Sequence, residues 1–180
     1  MKKEIILKGK GFTIRPYRKD DYISLAKNAN NKKIAKNLLN GFPSPYTEKN
    51  AKEWIKMNIN KYKEGFYYNF VIDVGGLAVG TIGAGLVEEK PFIMSFGYWL
   101  GENYWNKGIV SEAARLYLKY AFKTFRGVER IQAITYLWNK GSQRVLQKNG
   151  FKMEGILRKS YLKDGKIIDK YIFSKLRNDR

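Results

Sequence analysis

The 180-residue chain contains neither cysteine nor histidine. Any chemistry it performs must run without thiolates, imidazole relays or the usual zinc ligands. The stretch best suited to hold a ligand is Tyr104-Trp105-Asn106-Lys107-Gly108-Ile109-Val110-Ser111-Glu112. An apolar run ends just before it and a helical pattern opens within it. Such a junction offers free backbone N–H groups and the positive end of a helix dipole to an anion. Gly108 would let the backbone approach a phosphate closely, and it equally suits a tight strand-to-helix turn. Neither a GxxxxGK nor a GxGxxG pattern occurs, so nucleotide sites of those types are not supported. Asn139 and Ser142 form a second polar group at a helix start, and taken alone they read as capping residues.

Positioning these residues requires a strand before each loop and a helix after it, and the apolar pattern supplies both. Phe12 to Pro16 reads as a first strand, after which Asp20 and Asp21 offer N-caps to a helix carrying Tyr22, Leu25 and Ala26. A short helix around Ile34 to Leu39 ends at Gly41, and Thr47 caps a longer one. That longer helix carries Ala51, Trp54, Ile55, Ile59 and Tyr62 as one stripe and stops near Gly65. Tyr67 to Asp73, Leu77 to Val87 and Phe92 to Leu100 read as an antiparallel meander. A helix follows from Ile109 to about Phe125, with Val110, Ala114, Tyr117, Ala121 and Phe125 on one face. Ile131 to Tyr136 is a further strand, Asn139 to Asn149 a helix closed by Gly150, and Met153 to Leu157 and Ile167 to Phe173 are two last strands around Asp164-Gly165.

Length and composition fit one compact domain with a real core, at 44% hydrophobic and 15% aromatic residues. The Met1 to Lys10 segment is too polar for a signal-peptide core and no stretch approaches a membrane span, which makes a cytoplasmic location the expectation. The net charge of +19 is concentrated in the outer thirds, the middle third carrying 6 basic and 6 acidic groups. This is either a lysine-rich solvated surface or an attraction to an anionic partner such as nucleic acid, an acidic protein or a phosphorylated cofactor.

The stretch Phe96 to Gly108, followed by Ser111-Glu112-Ala113, Trp138 to Ser142 and Asn149-Gly150-Phe151, resembles the GNAT superfamily of N-acetyltransferases. Within it the chain is similar to the RimJ/RimL branch, which acetylates ribosomal-protein N-termini. Ile14-Arg15-Pro16, Asp20, Asp21, Pro43 to Tyr46, Glu154-Gly155, Leu157-Arg158 and Asp164-Gly165 fit that branch. The resemblance spans roughly residues 12 to 174. It implies an α+β (α/β mixed) fold: a mixed, mostly antiparallel sheet of about seven strands flanked by helices and splayed between the fourth and fifth strands.

The resemblance further implies acetyl-CoA as cofactor. The backbone of Trp99 and Leu100 would pair with its pantetheine arm, the amides of Asn106, Lys107, Gly108, Ile109, Val110 and Ser111 would hold the pyrophosphate, and Lys107 would add a countercharge. Asn139 would contact the pantetheine arm, and the Ser142 hydroxyl would serve the leaving thiolate. Trp105 and Val110 depart from the usual Q/R-x-x-G-x-G/A motif, and Leu146 stands where many members carry a tyrosine acid. The branch's glutamate has no counterpart, Tyr161 standing there, so Glu88, Glu89, Glu102, Glu154 or a water wire remain for the base.

The implied reaction is direct transfer in a ternary complex to a primary amine. An α-amino group, with a pKa of about 8 against about 10.4 for lysine, is the easier acceptor. A protein N-terminus, by resemblance that of a ribosomal protein, is therefore the leading partner, and a polyamine or aminoglycoside the alternative. A basic nucleic-acid-binding module on an inactive fold is the reading from another class, though no nucleic-acid motif supports it. Phe42, Tyr46, Trp54, Phe66, Tyr67 and Tyr68 are either core or an acceptor groove. No metal or membrane is implied, and either a monomer or a homodimer is compatible.

Overall fold

The computed structural model describes residues 6–64 and 67–179. The elements run β1 (Leu7–Gly9), β2 (Phe12–Arg15), α1 (Tyr22–Ala29), α2 (Lys32–Ala35), α3 (Glu48–Glu64), β3 (Tyr67–Val74), β4 (Leu77–Val87), β5 (Lys90–Leu100), α4 (Ile109–Thr124), β6 (Arg130–Tyr136), α5 (Lys140–Lys148), β7 (Lys152–Lys163) and β8 (Lys166–Leu176). One sheet of eight strands takes the order β1-β2-β3-β4-β5-β6-β8-β7. Every neighbouring pair is antiparallel except β5 and β6. That parallel pair is joined through the crossover helix α4, as parallel strands require.

The alternation of the strands sorts side chains onto two faces. Phe70, Ile72, Ile82, Met94 and Phe96 pack under α4 and α5, against Ala114, Tyr117, Ala121 and Leu146. On the opposite face Val71, Ala78 and Trp99 pack against Leu25 and Ala26 of α1 and Ala51 and Ile55 of α3. Thr47 caps α3 as its side chain suggests, with Oγ1 accepting from Asn50 N at 3.3 Å while Asn50 Oδ1 accepts from Thr47 N at 2.9 Å.

Four details differ from the sequence reading. An eighth strand, β1, pairs with β2 through Leu7↔Ile14, a three-residue pairing too short to show a period. The short helix α2 starts earlier and is shorter than expected, because Asn31 caps it by accepting from Lys33 N at 2.8 Å. β7 and β8 extend to the turn at Asp164 and Gly165, well past the apolar cores that mark them in the sequence. Asp20 and Asp21 provide no side-chain cap to α1. Asp20 is exposed, and Asp21 turns inward to Arg15. Gly65 and Phe66 lie outside the described residues.

Arg15, at 2% exposure, is held on three sides. Its Nη1 and Nη2 donate to the two Asp21 oxygens at 2.8 and 2.7 Å, and its Nε donates to Asp73 at 2.7 Å. Asp21 also accepts from Arg18 N, and Asp73 from Gly76 N in the β3–β4 turn. A strand, a helix start and a hairpin are thus joined through one guanidinium whose fork geometry no lysine reproduces. Removing the cation leaves two buried carboxylates unpaired, so Arg15→Met should cost about 3–5 kcal/mol in equilibrium denaturation. A loss below 1 kcal/mol would contradict this role.

Candidate active site

β5 and β6 pair only at Ile93↔Arg130, Met94↔Ile131 and Ser95↔Gln132, although both strands continue for several more residues. Beyond Ser95 the two strands have no shared ladder, which opens a gap inside the sheet. Gly101 N donates to Val79 O at 2.8 Å, so alternation along the β4–β5 ladder turns the backbone of Trp99 toward β4 and that of Tyr98 and Leu100 toward the gap. An ideal Cβ on Gly80 would collide with Trp99 O, consistent with that carbonyl lying against β4. Of the two residues expected to offer backbone groups, Leu100 faces the gap and Trp99 is committed to the ladder. Leu100 O accepts from the Trp105 indole Nε1 at 2.7 Å. This gives Trp105 a specific task, folding the loop back onto the end of β5.

The loop Asn106 to Ser111 leads into the N-terminus of α4. Asn106 and Lys107 are exposed, with the Lys107 ammonium 5.7 Å from the centre of the Tyr104 ring. Ile109 and Val110 are half-buried against the core under α4. Ser111 O accepts from Asn149 Nδ2 at 3.1 Å, joining the start of α4 to the end of α5. Gly108 precedes the helix at φ 76°, a left-handed conformation, and a Cβ placed on it would meet no atom within 4 Å. The space above this backbone is open, and the first N–H groups of a 16-residue helix point out from the junction. That is the geometry a pyrophosphate needs.

On the other side of the gap, Asn139 Oδ1 accepts from Ser142 N at 3.1 Å, so Asn139 does cap α5. Capping occupies its oxygen and leaves its amide Nδ2 as a further donor. The Ser142 hydroxyl lies 2.9 Å from the Tyr98 hydroxyl, which also donates to Ser142 O at 3.2 Å. Burial pushes the Tyr98 phenol up from its ordinary pKa, against a smaller opposite effect of its bond to Ser142, so it stays protonated. Leu146 is a core residue at 1% exposure. The phenol here comes from β5, a partnership across 44 positions that local spacing does not reveal.

The four carboxylates considered as bases are accounted for by their surroundings. Glu88 and Glu89 lie at the β4–β5 turn, at the far end of an 11-residue strand from Leu100, about 33 Å away. Glu154 accepts from Arg130 Nη1 and Ser174 Oγ, both at 2.6 Å, beside the paired end of the gap. Glu102 is at the open end, but Lys33 Nζ and Asn31 Nδ2 both donate to it and, in that order, hold its pKa below the ordinary value. Tyr161 OH accepts from Asn40 N at 2.9 Å.

On the α1/α3 face, beside the diverging ends of β5 and β6 and so at the mouth of the gap, lies a cavity of about 310 Å³ lined by Lys32, Lys36, Asn40, Phe42, Lys163 and Asp164 among others. Its walls reach both diverging strands. The Phe42 ring is 6.3 Å from Trp99 of β5, and Tyr136 of β6 donates from its hydroxyl to Leu38 O at 3.0 Å. Of the other aromatic residues expected near an acceptor, Tyr46 stacks on Phe42 at 4.9 Å and Trp54 Nε1 donates to Tyr17 OH, so both serve the core. Tyr68 packs on Phe125, on the opposite face. Among the described residues no group of acids could hold a metal ion, and no helix is long and apolar enough to cross a membrane.

The acetyltransferase (GNAT) domain profile matches residues 12–152. The chain belongs to the GNAT acetyltransferase family. An uncharacterized N-acetyltransferase, p20, from Bacillus licheniformis is 32% identical over 139 residues, covering 76% of this chain and 78% of the relative. The ribosomal-protein-S5-alanine acetyltransferase of Vibrio fischeri superposes with a TM-score of 0.85 at 23% identity, covering 97% of this chain and 98% of the other. RimL, a ribosomal L7/L12 α-N-protein acetyltransferase in complex with coenzyme A, superposes at 0.85 with 17% identity, covering 98% and 100%. This GNAT protein is an N-acetyltransferase that uses acetyl-CoA, and its sheet, mostly antiparallel and flanked by helices, has the family fold.

Two expectations follow. Any side chain at position 108 must enter a left-handed conformation costing about 1–2 kcal/mol, and would also project into the open space over the loop. Gly108→Ala should therefore weaken acetyl-CoA binding at least tenfold by calorimetry, and undiminished affinity would remove the loop from the binding site. Glu154 is held at about 2 by hydrogen bonds from Arg130 and then Ser174, below its ordinary 4.5. Its contribution to stability is present above pH 4.5 and disappears as the pH falls toward 2. Glu154→Gln should thus be less stable than the native chain at pH 7, lose that difference in acid, and keep its turnover number.

Proposed function

We propose that this acetyltransferase modifies the α-amino group of a protein N-terminus, with the cofactor running through the gap between β5 and β6. The α4 N-terminus from Asn106 to Ser111 would hold the pyrophosphate, Lys107 adding a countercharge. The backbone groups of Tyr98 and the N–H of Leu100, whose carbonyl is taken by Trp105, would pair with the pantetheine arm, with the Asn139 amide opposite. Bound acetyl-CoA supplies an acetyl thioester, whose carbonyl accepts the amine and whose sulfur leaves as a thiolate that needs a proton.

The observation that carries this reading is the Tyr98–Ser142 hydroxyl pair at the diverging strands. Ser142 holds a transferable proton at Oγ, and Tyr98, kept neutral by burial, lies within hydrogen-bond distance of Oγ and fixes its position. Tyr98 acts here as a positioning residue. Of the glutamates weighed as bases, Glu102 and Glu154 are held in ion pairs and Glu88 and Glu89 lie at the far end of β5. This suits an α-amine, which is about one-tenth neutral at pH 7 and needs less help than a lysine side chain. The fold likeness to two enzymes named for ribosomal proteins supports the N-terminal acceptor class. The lysines around the mouth disfavour a polyamine or aminoglycoside, because a multiply charged cation would approach Lys32, Lys36 and Lys163 with only Asp164 to offset them.

The test uses acetyl-CoA with peptides carrying a free N-terminus and an internal lysine, N-blocked versions of the same peptides, and spermidine. Mass spectrometry should locate the acetyl group on the α-amine alone. Preferential acetylation of lysine or spermidine would overturn the acceptor assignment. Ser142→Ala should lower kcat about 100-fold with little change in KM for acetyl-CoA, and Tyr98→Phe about tenfold with a shifted pH profile.

A further inference from the structure

The cavity at the mouth of the gap carries an imbalance of charge that the transfer reaction does not require. Lys163 is 9% exposed and lines the cavity, yet its ammonium is met chiefly by neutral oxygens, Leu38 O at 3.0 Å and Ala35 O at 3.4 Å. Its one carboxylate neighbour, Asp164, is 3.8 Å away and 79% exposed. Lys32 and Lys36 stand on the same wall without a carboxylate partner among the described residues. Lys33, between them in the chain, is taken by Glu102.

A second buried ammonium lies just behind. Lys170, also 9% exposed, sits 4.2 Å from the centre of the Tyr161 ring, and among the described residues no carboxylate pairs with it. Tyr161 in turn holds Asn40 of the cavity wall through its hydroxyl. Burial presses the Lys170 pKa down, and Tyr161 opposes that in part.

Buried cations are ordinarily paired, because desolvation is expensive unless an anion repays it. One nearly buried lysine and two exposed ones line this cavity, a further buried lysine stands beyond Tyr161, and the carboxylate in the lining is one solvent-exposed aspartate, which leaves a field that an anion would neutralise. The cavity lies on the α1/α3 face, whereas the α4 N-terminus serves the opposite face, so the phosphates of the cofactor are not that anion. A peptide entering the mouth by its amino end would put its next residues here, since each extended residue spans about 3.3–3.6 Å.

We propose that the cavity lined by Lys32, Lys36 and Lys163 is a specificity subsite for an acidic acceptor, a protein N-terminus with Asp or Glu at its second and third positions. This rests on the N-terminal acetylation proposed above and adds to it a substrate class. Lys32 and Lys36 meet the acidic side chains at the rim, and Lys163 supplies the fixed charge beneath them. The benefit depends on charge alone, so it fades with added salt.

The test compares three hexapeptides that start with serine and differ only at positions two and three, bearing two aspartates, two asparagines or two lysines. Rates are measured at saturating acetyl-CoA, and binding is measured separately with coenzyme A already bound. The diaspartate peptide should exceed the diasparagine peptide about tenfold in kcat/KM at low salt, and the dilysine peptide should be the poorest. The preference should collapse in the Lys32→Glu/Lys36→Glu double variant, whose exposed positions leave the fold intact. Equal rates for the diaspartate and diasparagine peptides, or a preference that survives the double reversal, would overturn the subsite while leaving N-terminal acetylation standing. If none of the peptides is acetylated, selective binding of the diaspartate peptide would uphold the subsite and refute the reaction assigned to it. Absence of any selective binding would refute the subsite.

Discussion

The organisation of this protein depends on a ladder that stops early. β5 and β6 share three paired positions and then separate, and a sheet that parts in its middle exposes backbone groups with no strand to satisfy them. Such groups are stable only beside water or a ligand that can take their hydrogen bonds. The rest of the molecule is arranged around that vacancy in the ladder. α4 crosses between the two strands and brings its N-terminus to one side, α5 starts on the other, and Phe96 stacks between Tyr117 and Phe151 to fill the space beneath. Trp105 secures the end of β5 by its bond to Leu100, and Ser142 and Tyr98 meet across the opening.

The sheet, the meander and the crossover helix are legible in the sequence because they rest on local periodicity and on punctuation by Gly75-Gly76, Gly108 and Gly150. All of these glycines adopt positive φ. The polar architecture is much less legible. Asp21 has the position of a helix cap, but its partners are Arg15 and, through it, Asp73 on a strand 52 positions further along, and no local rule weighs that ion pair against capping. Tyr98 reads as one more aromatic in an apolar strand. Its hydroxyl acquires a role only when α5 is folded over it.

The proposed site illustrates the same division. Gly108 is recognisable because its backbone conformation and its place before a helix are local facts. Asn139 shows that capping and ligand contact are not exclusive, since one end of its amide caps α5 and the other is spare. The glutamates are plentiful in the sequence, yet distance removes Glu88 and Glu89, and ion pairing occupies Glu102 and Glu154. Charge behaves likewise. The total of +19 says little by itself, whereas two buried lysines, one near a single exposed aspartate and the other beside a phenol ring, define a direction for the field.

The two rims of the mouth are tied together by bonds that cross it. Lys163 and the Tyr136 hydroxyl both converge on Leu38 O, and Asn40 bonds to Tyr161 OH and Leu162 O. Stitched in this way, the segment after α2 and the β7–β8 hairpin form an aperture of set width rather than a pair of jaws. An amine held close against a folded surface cannot spread such a rim. For the proposed protein acceptor, clearance would then be the first selection, before chemistry: a chain end that projects freely would reach the thioester, while one packed into its own protein would be turned away.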